Sequence, residues 1–430
     1  MTAYALLDIN NMFVSCERAF DPMLERVPVL VLSSNDGCAI ARSQEVKDLG
    51  VKMGDPYFKV ARLCEDNGVV CMSSNFSLYC SMSMRLVAEL RDLCPAVEQY
   101  SIDEVYIDLT GMPGGLDEYC RGVRKAIRRR LGLPNCVGTG ATKTLAKLAN
   151  RLAKKSKTAD GVVDLAGHPA WTQQALERTQ AADVWGIGPA SAAKLLAIGV
   201  RSAKDFAGLP DSEIRRLMGV PGLRVAGELR GQVCHTLETI PEPRQSLMVS
   251  RSFGEPTGSR DAIKQAIVGY VASAGEKLRR EAMVAGAVTV FWETPRFRKD
   301  LPQRNASSTA RLHPASSDSL RLLQAALKAF DGGWVDGPWT YAKAGVMLTD
   351  LCMASAVSGD LFSVPEPPSA LMGAIDRINA RWGRGSLTLG HRGGPGSPCK
   401  PRAERLSPDW LGSWDQIPVA KAKPPKSAHG

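Results

Sequence analysis

The sequence predicts an α+β chain of several domains, and three observations carry that prediction. Its 430 residues exceed what one domain of roughly 100–200 residues holds. Residues 245–349 run strand, helix, strand, strand, helix, strand, an order that makes one sheet with helices on a single face. Between this region and a mixed N-terminal region, residues 183–235 read as short helices joined by glycine turns. The composition, 44% hydrophobic and 23% charged, is that of a folded chain.

Taken in order, residues 4–10 (YALLDIN) read as a buried strand ending on an aspartate. A second β run, 27–33, leads into the turn signal Asn35-Asp36-Gly37-Cys38. Leu78, Met82, Leu86, Leu90 and Leu93 recur at helical spacing and predict a helix over 76–94. Residues 97–110 (VEQYSIDEVYIDLT) read as two short strands meeting at a turn that carries Asp103 and Glu104. A strand at 136–139 precedes a helix at 143–155, and the character of the chain changes near residue 165. The Pro-rich Ile240-Pro241-Glu242-Pro243 reads as a linker. Beyond it come a strand (245–253), a helix (261–283), strands at 286–293 and 305–312, a helix (318–330) and a strand (341–349). One helix at 370–381 precedes a Gly/Pro/Lys-rich end expected to be mostly disordered.

The net charge of +10 suits a polyanionic partner, but charge alone does not separate nucleic acid from solubility, so position has to decide. No apolar run approaches the roughly 20 residues of a membrane span. The opening residues Met1-Thr2-Ala3-Tyr4-Ala5-Leu6-Leu7-Asp8 have neither basic leader nor cleavage site, which predicts a cytoplasmic protein. The 11 cysteines include no Cys-x-x-Cys pair and the 5 histidines are scattered, so reduced, mostly buried thiols are expected rather than structural zinc.

Asp8 at a strand end and Asp103-Glu104 at a turn can converge while their strands stay in a sheet. Hard oxygen ligands suit Mg²⁺, which binds one or two protein carboxylates beside substrate phosphates. Two such ions, ~3.5–4 Å apart, clamp the attacking and leaving oxygens of a phosphoryl transfer. Each acid alone is equally an ordinary solvated turn residue.

The stretch Asp8-Ile9-Asn10-Asn11-Met12-Phe13-Val14-Ser15-Cys16-Glu17, with Tyr100-Ser101-Ile102-Asp103-Glu104 downstream, resembles the Y-family of DNA polymerases. Asn35-Asp36-Gly37-Cys38-Ala39-Ile40-Ala41-Arg42, Leu49-Gly50-Val51-Lys52-Met53-Gly54-Asp55-Pro56 and Lys143-Thr144-Leu145-Ala146-Lys147-Leu148-Ala149-Asn150 look like its UmuC-type members, the catalytic subunit of bacterial DNA polymerase V. The likeness runs in order from about residue 4 to residue 390. It implies a right-hand polymerase with a palm (1–17 and 79–165), fingers (18–78), a thumb (166–240) and a little finger (241–352), followed by a partly disordered C-terminal region (353–430).

Position by position, the resemblance makes Asp8, Asp103, Glu104 and the carbonyl of Ile9 the ligands of two Mg²⁺ ions. Phe13 falls at the steric gate, an aromatic that collides with a ribose 2′-hydroxyl. Lys47 and Lys154 align with residues that hold the incoming dNTP triphosphate, whose growing charge they would stabilise. Lys143, Lys147 and Lys154 share one face of their helix, as a phosphate-facing stripe requires. Gln44 departs from the family, which often has a tyrosine there. Val184-Trp185-Gly186-Ile187-Gly188 before a helix matches a helix-hairpin-helix, where Gly186 and Gly188 let backbone N–H groups approach a DNA phosphate. Arg251, with Arg296, Arg298 and Lys299, would track template phosphates.

The function implied is error-prone translesion DNA synthesis on primer–template DNA in the SOS response to DNA damage. Small residues Gly37, Cys38 and Ala39 in short fingers would leave a roomy site. A processed UmuD-type dimer and a RecA filament would be the activating partners. Asp360-Leu361-Phe362 keeps the apolar anchors of a sliding-clamp peptide, Leu361 and Phe362, but has Ser358 where glutamine is expected. Two rivals stand beside this reading. A catalytically inactive scaffold recruiting another polymerase would lose the acidic trio, which is present here. A two-metal nuclease would need neither Phe13 nor the triphosphate lysines.

Overall fold

The computed structural model describes residues 2–112, 115–238, 243–357, 370–383, 385–388, 399, 401–412 and 414–416. Contacts divide the chain into two units, Met1–Ser33, Cys38–Pro241 and Arg405–Gly430 in one, Ser34–Gly37 and Glu242–Glu404 in the other.

The first unit opens with strand β1 (Tyr4–Ile9) and helix α1 (Met12–Phe20). Strands β2 (Val29–Leu32) and β3 (Ala39–Arg42), helices α2 (Gln44–Asp48) and α3 (Tyr57–Asp66), and strand β4 (Val70–Ser73) follow. Next come α4 (Phe76–Leu93), β5 (Ala96–Gln99), β6 (Glu104–Asp108), α5 (Leu116–Leu131), β7 (Asn135–Gly140), α6 (Lys143–Lys155) and β8 (Val162–Asp164). A helical module then holds α7 (Pro169–Arg178), α8 (Pro189–Ala197), α9 (Ala203–Gly208) and α10 (Asp211–Leu229), which kinks at Gly219.

Five strands form one sheet in the order β5-β6-β1-β7-β8, with β1 antiparallel to both neighbours. All six residues of β1 are buried, as the apolar run YALLDI requires of a strand covered on both faces. A separate sheet, β3-β2-β4, has its own small core of Leu30, Leu32, Val46, Val51 and Cys64. Of its strands only β2 is visible in the sequence; β3 and β4 are too short for a periodicity to show, and α2 and α3 were missed with them.

Helix α6 lies against β1 and β7 on one side and contributes Leu145, Leu148 and Ala149 to the core of the helical module. Its start is fixed by Thr142, whose side chain accepts from Leu145 N. Its closeness to the sheet depends on two glycines. A Cβ at Gly138 would stand 2.0 Å from Asn150 N, and one at Gly140 would stand 2.5 Å from Ala146 N. Asn150 completes the lock, its Nδ2 donating to Leu6 O (3.0 Å) and Cys136 O (2.9 Å).

The second unit carries β9 (Leu247–Thr257), α11 (Arg260–Arg280), β10 (Met283–Glu293), β11 (Asn305–Ser316), α12 (Ser319–Gly333) and β12 (Tyr341–Met353). This is the predicted βαββαβ order. The sheet runs β11-β10-β12-β9, and both helices pack on one face around Trp292, Phe330, Val346 and Leu348. Helix α13 (Ala370–Trp382) stands where a helix was expected. Within the C-terminal stretch expected to be mostly disordered, Arg405 pairs with Ser73 of β4, while residues 389–398, 400, 413 and 417–430 lie outside the described residues. Residues 240–242 of the predicted linker lie outside the described residues. No helix among the described residues is long and apolar enough to cross a membrane.

Overpacking costs typically ~1–3 kcal/mol, and backbone gives way less readily than a side chain, so Gly138→Ala should cost about 3 kcal/mol. Urea unfolding of wild type and variant should show the midpoint falling. An unchanged midpoint would mean that α6 does not depend on this approach.

Candidate active site

Antiparallel pairing sets Asp8 on β1 directly opposite Glu104 on β6. Asp103 precedes Glu104 in the turn, and its carbonyl accepts from Ile9 N at 2.9 Å. The turn is shaped by Ser101, whose Oγ accepts from the backbone N–H groups of Asp103 and Glu104 and donates to Asp103 Oδ1 at 2.6 Å. Three acids therefore gather at the ends of two neighbouring strands, although Glu104 begins its strand rather than sitting in the turn.

Asp8 is 6% exposed. Its Oδ2 meets the ammonium of Lys154 at 2.5 Å, while its Oδ1 is buried without a hydrogen-bond partner. Burial pushes its carboxyl up to about 7, the charges of Glu104 and Asp103 add to that, and Lys154 opposes it. Glu104 in turn holds Lys147 at 2.8 Å. Both lysines come from α6, so the glycine-permitted approach of that helix delivers their charges. Lys147 also lies over the rings of Tyr100 (4.7 Å) and Trp185 (5.8 Å), and Trp185 Nε1 donates to Tyr100 Oη at 3.1 Å. A cleft of about 260 Å³ opens here, lined by Asp8, Glu104, Lys147, Arg151, Lys154 and Trp185 among others.

No three His, Cys, Asp or Glu side chains among the described residues stand close enough as they are to enclose a metal ion. The lysine ammoniums instead lie on the acids as cations would. The unpartnered Asp8 Oδ1 and the raised carboxyl mark a site short of positive charge, and the donors are hard oxygens. The residues fit Mg²⁺.

Beside the acids, Lys47 donates to Asn11 Oδ1 at 2.6 Å, and Asn11 holds a left-handed backbone (φ 49°) at the start of α1. Burial, with the charges of Arg42 and Lys154 nearby, pulls the Lys47 ammonium below its ordinary value. Arg42 donates from Nη1 to Val51 O at 2.6 Å, and its buried Nε has no partner. This crowding of cations suits an anion. Gln44 turns to Asp48 at 2.8 Å. Phe13 projects from α1, half-buried, and stacks on Tyr79 at 4.4 Å with the rings 10° from parallel.

The expected lysine stripe does not hold as a unit. Lys143 is buried and paired with Glu98 of β5, with its ammonium over Tyr106, so it faces the sheet and no phosphate. Gly186 has φ 88°, and a Cβ there would stand 2.8 Å from Val225 Cγ2, so glycine is required; Gly188 is the exposed residue before α8 with open space around it. Arg251 pairs across from buried Ala344, which puts it on the helix-covered side of edge strand β9 with its side chain exposed. Arg298 is paired with Asp300 at 2.6 Å. Ser358, Leu361 and Phe362 lie outside the described residues. Sequence reasoning gave no role to Arg42 or Asn150. The helical offset of Asn150 from Lys143 and Lys147 was available, whereas nothing local marked Arg42.

Residues 7–151 match the impB/mucB/samB family and residues 244–361 match its C-terminal domain. Protein MucB of Salmonella typhimurium is 39% identical over 98% of this chain and all of its own length. The chain belongs to the impB/mucB/samB family. Protein UmuC of Salmonella typhimurium is 40% identical over 91% of this chain and 93% of its own, so the UmuC-type likeness spans nearly the whole family member. Residues 369–420 match a family known only as a domain of unknown function, DUF4113. Among solved structures, a Y-family DNA polymerase chimera of Dbh and Dpo4 covers 82% of the chain and 99% of its own with a TM-score of 0.64 at 20% identity. The fold is therefore that of the Y-family DNA polymerases, multidomain and α+β.

The folded-state value of Asp8, about 7, lies above its ordinary 3.8. Ionisation therefore weakens the metal-free fold, and stability should be lost as pH rises through about 7. Asp8→Asn should remove that loss and raise the unfolding temperature at pH 8 in EDTA. Mg²⁺ should stabilise wild type and leave Asp8→Asn unchanged, which thermal scans with and without the ion will report.

Proposed function

We propose that this chain is the catalytic subunit of a translesion DNA polymerase, which adds deoxynucleotides to a primer 3′-hydroxyl opposite damaged template. The observation that carries the reading is the buried, unpartnered oxygen of Asp8 across from Glu104, with the cations Lys47, Arg42 and Lys154 alongside. The family and the Y-family fold support it.

In this reading the five-stranded sheet with α1, α4, α5 and α6 is the palm (1–17 and 79–165). The sheet β3-β2-β4 belongs to the fingers (18–78), the helical module is the thumb (166–240), and the βαββαβ unit is the little finger (241–352). Asp8, Asp103, Glu104 and the carbonyl of Ile9 would hold two Mg²⁺ ions. Such ions, when bound, lower the pKa of the primer hydroxyl and neutralise the departing pyrophosphate. Lys47, Arg42 and Lys154 bind and orient the dNTP triphosphate, and their fixed charge favours the transition state as negative charge grows. Phe13 is the gate beneath the sugar. The backbone at Gly186 and Gly188, before the N-terminus of α8, grips a duplex phosphate. Arg251 adds a phosphate contact that carries no sequence information.

Short fingers with small residues at Gly37, Cys38 and Ala39 leave the nascent pair loosely enclosed, which supports error-prone synthesis in an SOS response. The likeness to UmuC supports a processed UmuD-type dimer and a RecA filament as partners, with a sliding clamp met through Leu361 and Phe362.

Primer extension with Mg²⁺ and all four dNTPs, on intact and abasic templates and with accessory proteins supplied, tests this. Wild type should extend both templates. The Asp103→Ala, Glu104→Ala double variant should lose about 10³-fold or more, because metal stabilisation is worth several kcal/mol and each ~1.4 kcal/mol is tenfold. Equal extension by wild type and double variant would overturn the assignment of the acids. No extension by either, with DNA binding intact, would favour a scaffold.

A further inference from the structure

The residues from Arg405 to Trp410, inside the stretch that matches a family of unknown function, pack on the first unit behind the Phe13 ring. Ser73 N at the end of β4 donates to Arg405 O at 2.9 Å, and Arg405 N donates to Ser73 Oγ at 2.9 Å. The Arg405 guanidinium stands 5.0 Å over the Tyr57 ring, and Trp410 packs against Phe20 at the far end of α1. Between these anchors, Ser407 Oγ accepts from Asn75 Nδ2 at 2.9 Å and donates to Glu17 Oε1 at 3.3 Å. Asn75 is the N-cap of α4, the helix that carries Tyr79.

Glu17 sits one turn after Phe13 on α1 and is only 1% exposed. The same Oε1 accepts the Tyr79 hydroxyl at 2.6 Å. Tyr79 is 0% exposed, and its ring is the one stacked flat behind Phe13 at 4.4 Å. A carboxylate removed from water is an expensive way to hold a tyrosine by packing alone. A charge-assisted hydrogen bond in a dry interior is short and stiff, however, and that stiffness is what a steric wall needs. A gate discriminates by collision. If the ring behind it yields by a fraction of an ångström, the 2′-hydroxyl of a ribonucleotide finds room.

We propose that Glu17 is a positioning residue for sugar selection, holding the Tyr79 ring rigid behind Phe13, and that the C-terminal segment completes this support through Ser407. The inference rests on the reading of Phe13 as the gate. It gives the C-terminal segment a role in the chemistry of the palm: Asn75 and Glu17, the residue that holds the Tyr79 hydroxyl, lose a shared partner when Ser407 is absent.

The test is single-nucleotide incorporation by the full-length chain, with whatever accessory proteins extension requires. The value read is the ratio of kcat/KM for a dNTP to that for the matching rNTP. Phe13→Ala should collapse this ratio. Glu17→Gln and Tyr79→Phe keep the side-chain shapes and should lower it by about 3–10-fold, since a displacement near 1 Å alters rates by ~10²-fold and a smaller one by less. Ser407→Ala, at a half-exposed position, should lower it by about 2–3-fold and carries the test if a buried variant fails to fold. In the Phe13→Ala background, Glu17→Gln should have no further effect on the ratio. Equal losses for dNTP and rNTP in Glu17→Gln, Tyr79→Phe and Ser407→Ala would reduce these residues to structural support and overturn the inference while leaving the gate intact. An unchanged ratio in Phe13→Ala would overturn the gate reading itself, and this inference with it.

Discussion

Asp8 stands one residue from the end of the central strand of a five-stranded sheet, with its side chain almost withdrawn from water and one oxygen that meets no donor. Two further carboxylates stand beside it, and each raises the cost of keeping it ionised. Such a group survives in a fold only if positive charge is brought to it. Here the charge arrives on a single helix, α6, whose Lys147 and Lys154 reach Glu104 and Asp8. That helix can come so near only because Gly138 and Gly140 leave no side chain in the way and Asn150 satisfies the carbonyls of Leu6 and Cys136. Packing, electrostatics and chemistry are thus one arrangement: the contact that holds the sheet and helix together also sets the field in which metal and triphosphate would bind.

The same helix links the sheet to the helical module. Glu228 of α10, fully buried, accepts from Thr144 N and Oγ1 at the start of α6 and from the backbone of Cys234 and His235. The ion pair of Lys143 with Glu98 adds a second buried tie, and Glu238 N donates to the same carboxylate. Strong, directional contacts of this sort fix α6 at both faces. The rigidity matters because a phosphoryl-transfer site works by positioning charge, and fixed charge needs no reorganisation during reaction.

Much of this was legible in the sequence, for identifiable reasons. The run YALLDI announces a doubly covered strand, the bounds of α6 follow from its apolar period, and the βαββαβ order follows from alternating periods of two and 3.6. Asp8 was read at a strand end and Asp103 and Glu104 at a turn, and it was the family resemblance that gave the three a shared role. What was lost depends on partners far away in the chain. A helical wheel puts Lys143 with Lys147 and Lys154, yet it cannot show that Glu98 and Tyr106 cover one end of that face. Four-residue strands such as β3 and β4 hold too few side chains to display a period. Ser407 meets Glu17 across 390 residues of sequence, and its Gly/Pro/Lys-rich surroundings read as disorder. Arg251 was read from a strand pattern that does not reveal an edge position, so the face it occupies was not foreseen.

The central claim is that buried Asp8 of β1, with Asp103 and Glu104 beside it, forms a cation site whose present occupants are lysines. A crystal structure with primer–template, an incoming non-hydrolysable dNTP and Mn²⁺, with the metal located by anomalous scattering, tests it most directly. The account predicts metal signal bounded by Asp8, Asp103 and Glu104, with the Lys154 ammonium moved from Asp8 to the triphosphate. Metal signal elsewhere, with Lys154 still on Asp8 and Lys147 still on Glu104, would contradict it.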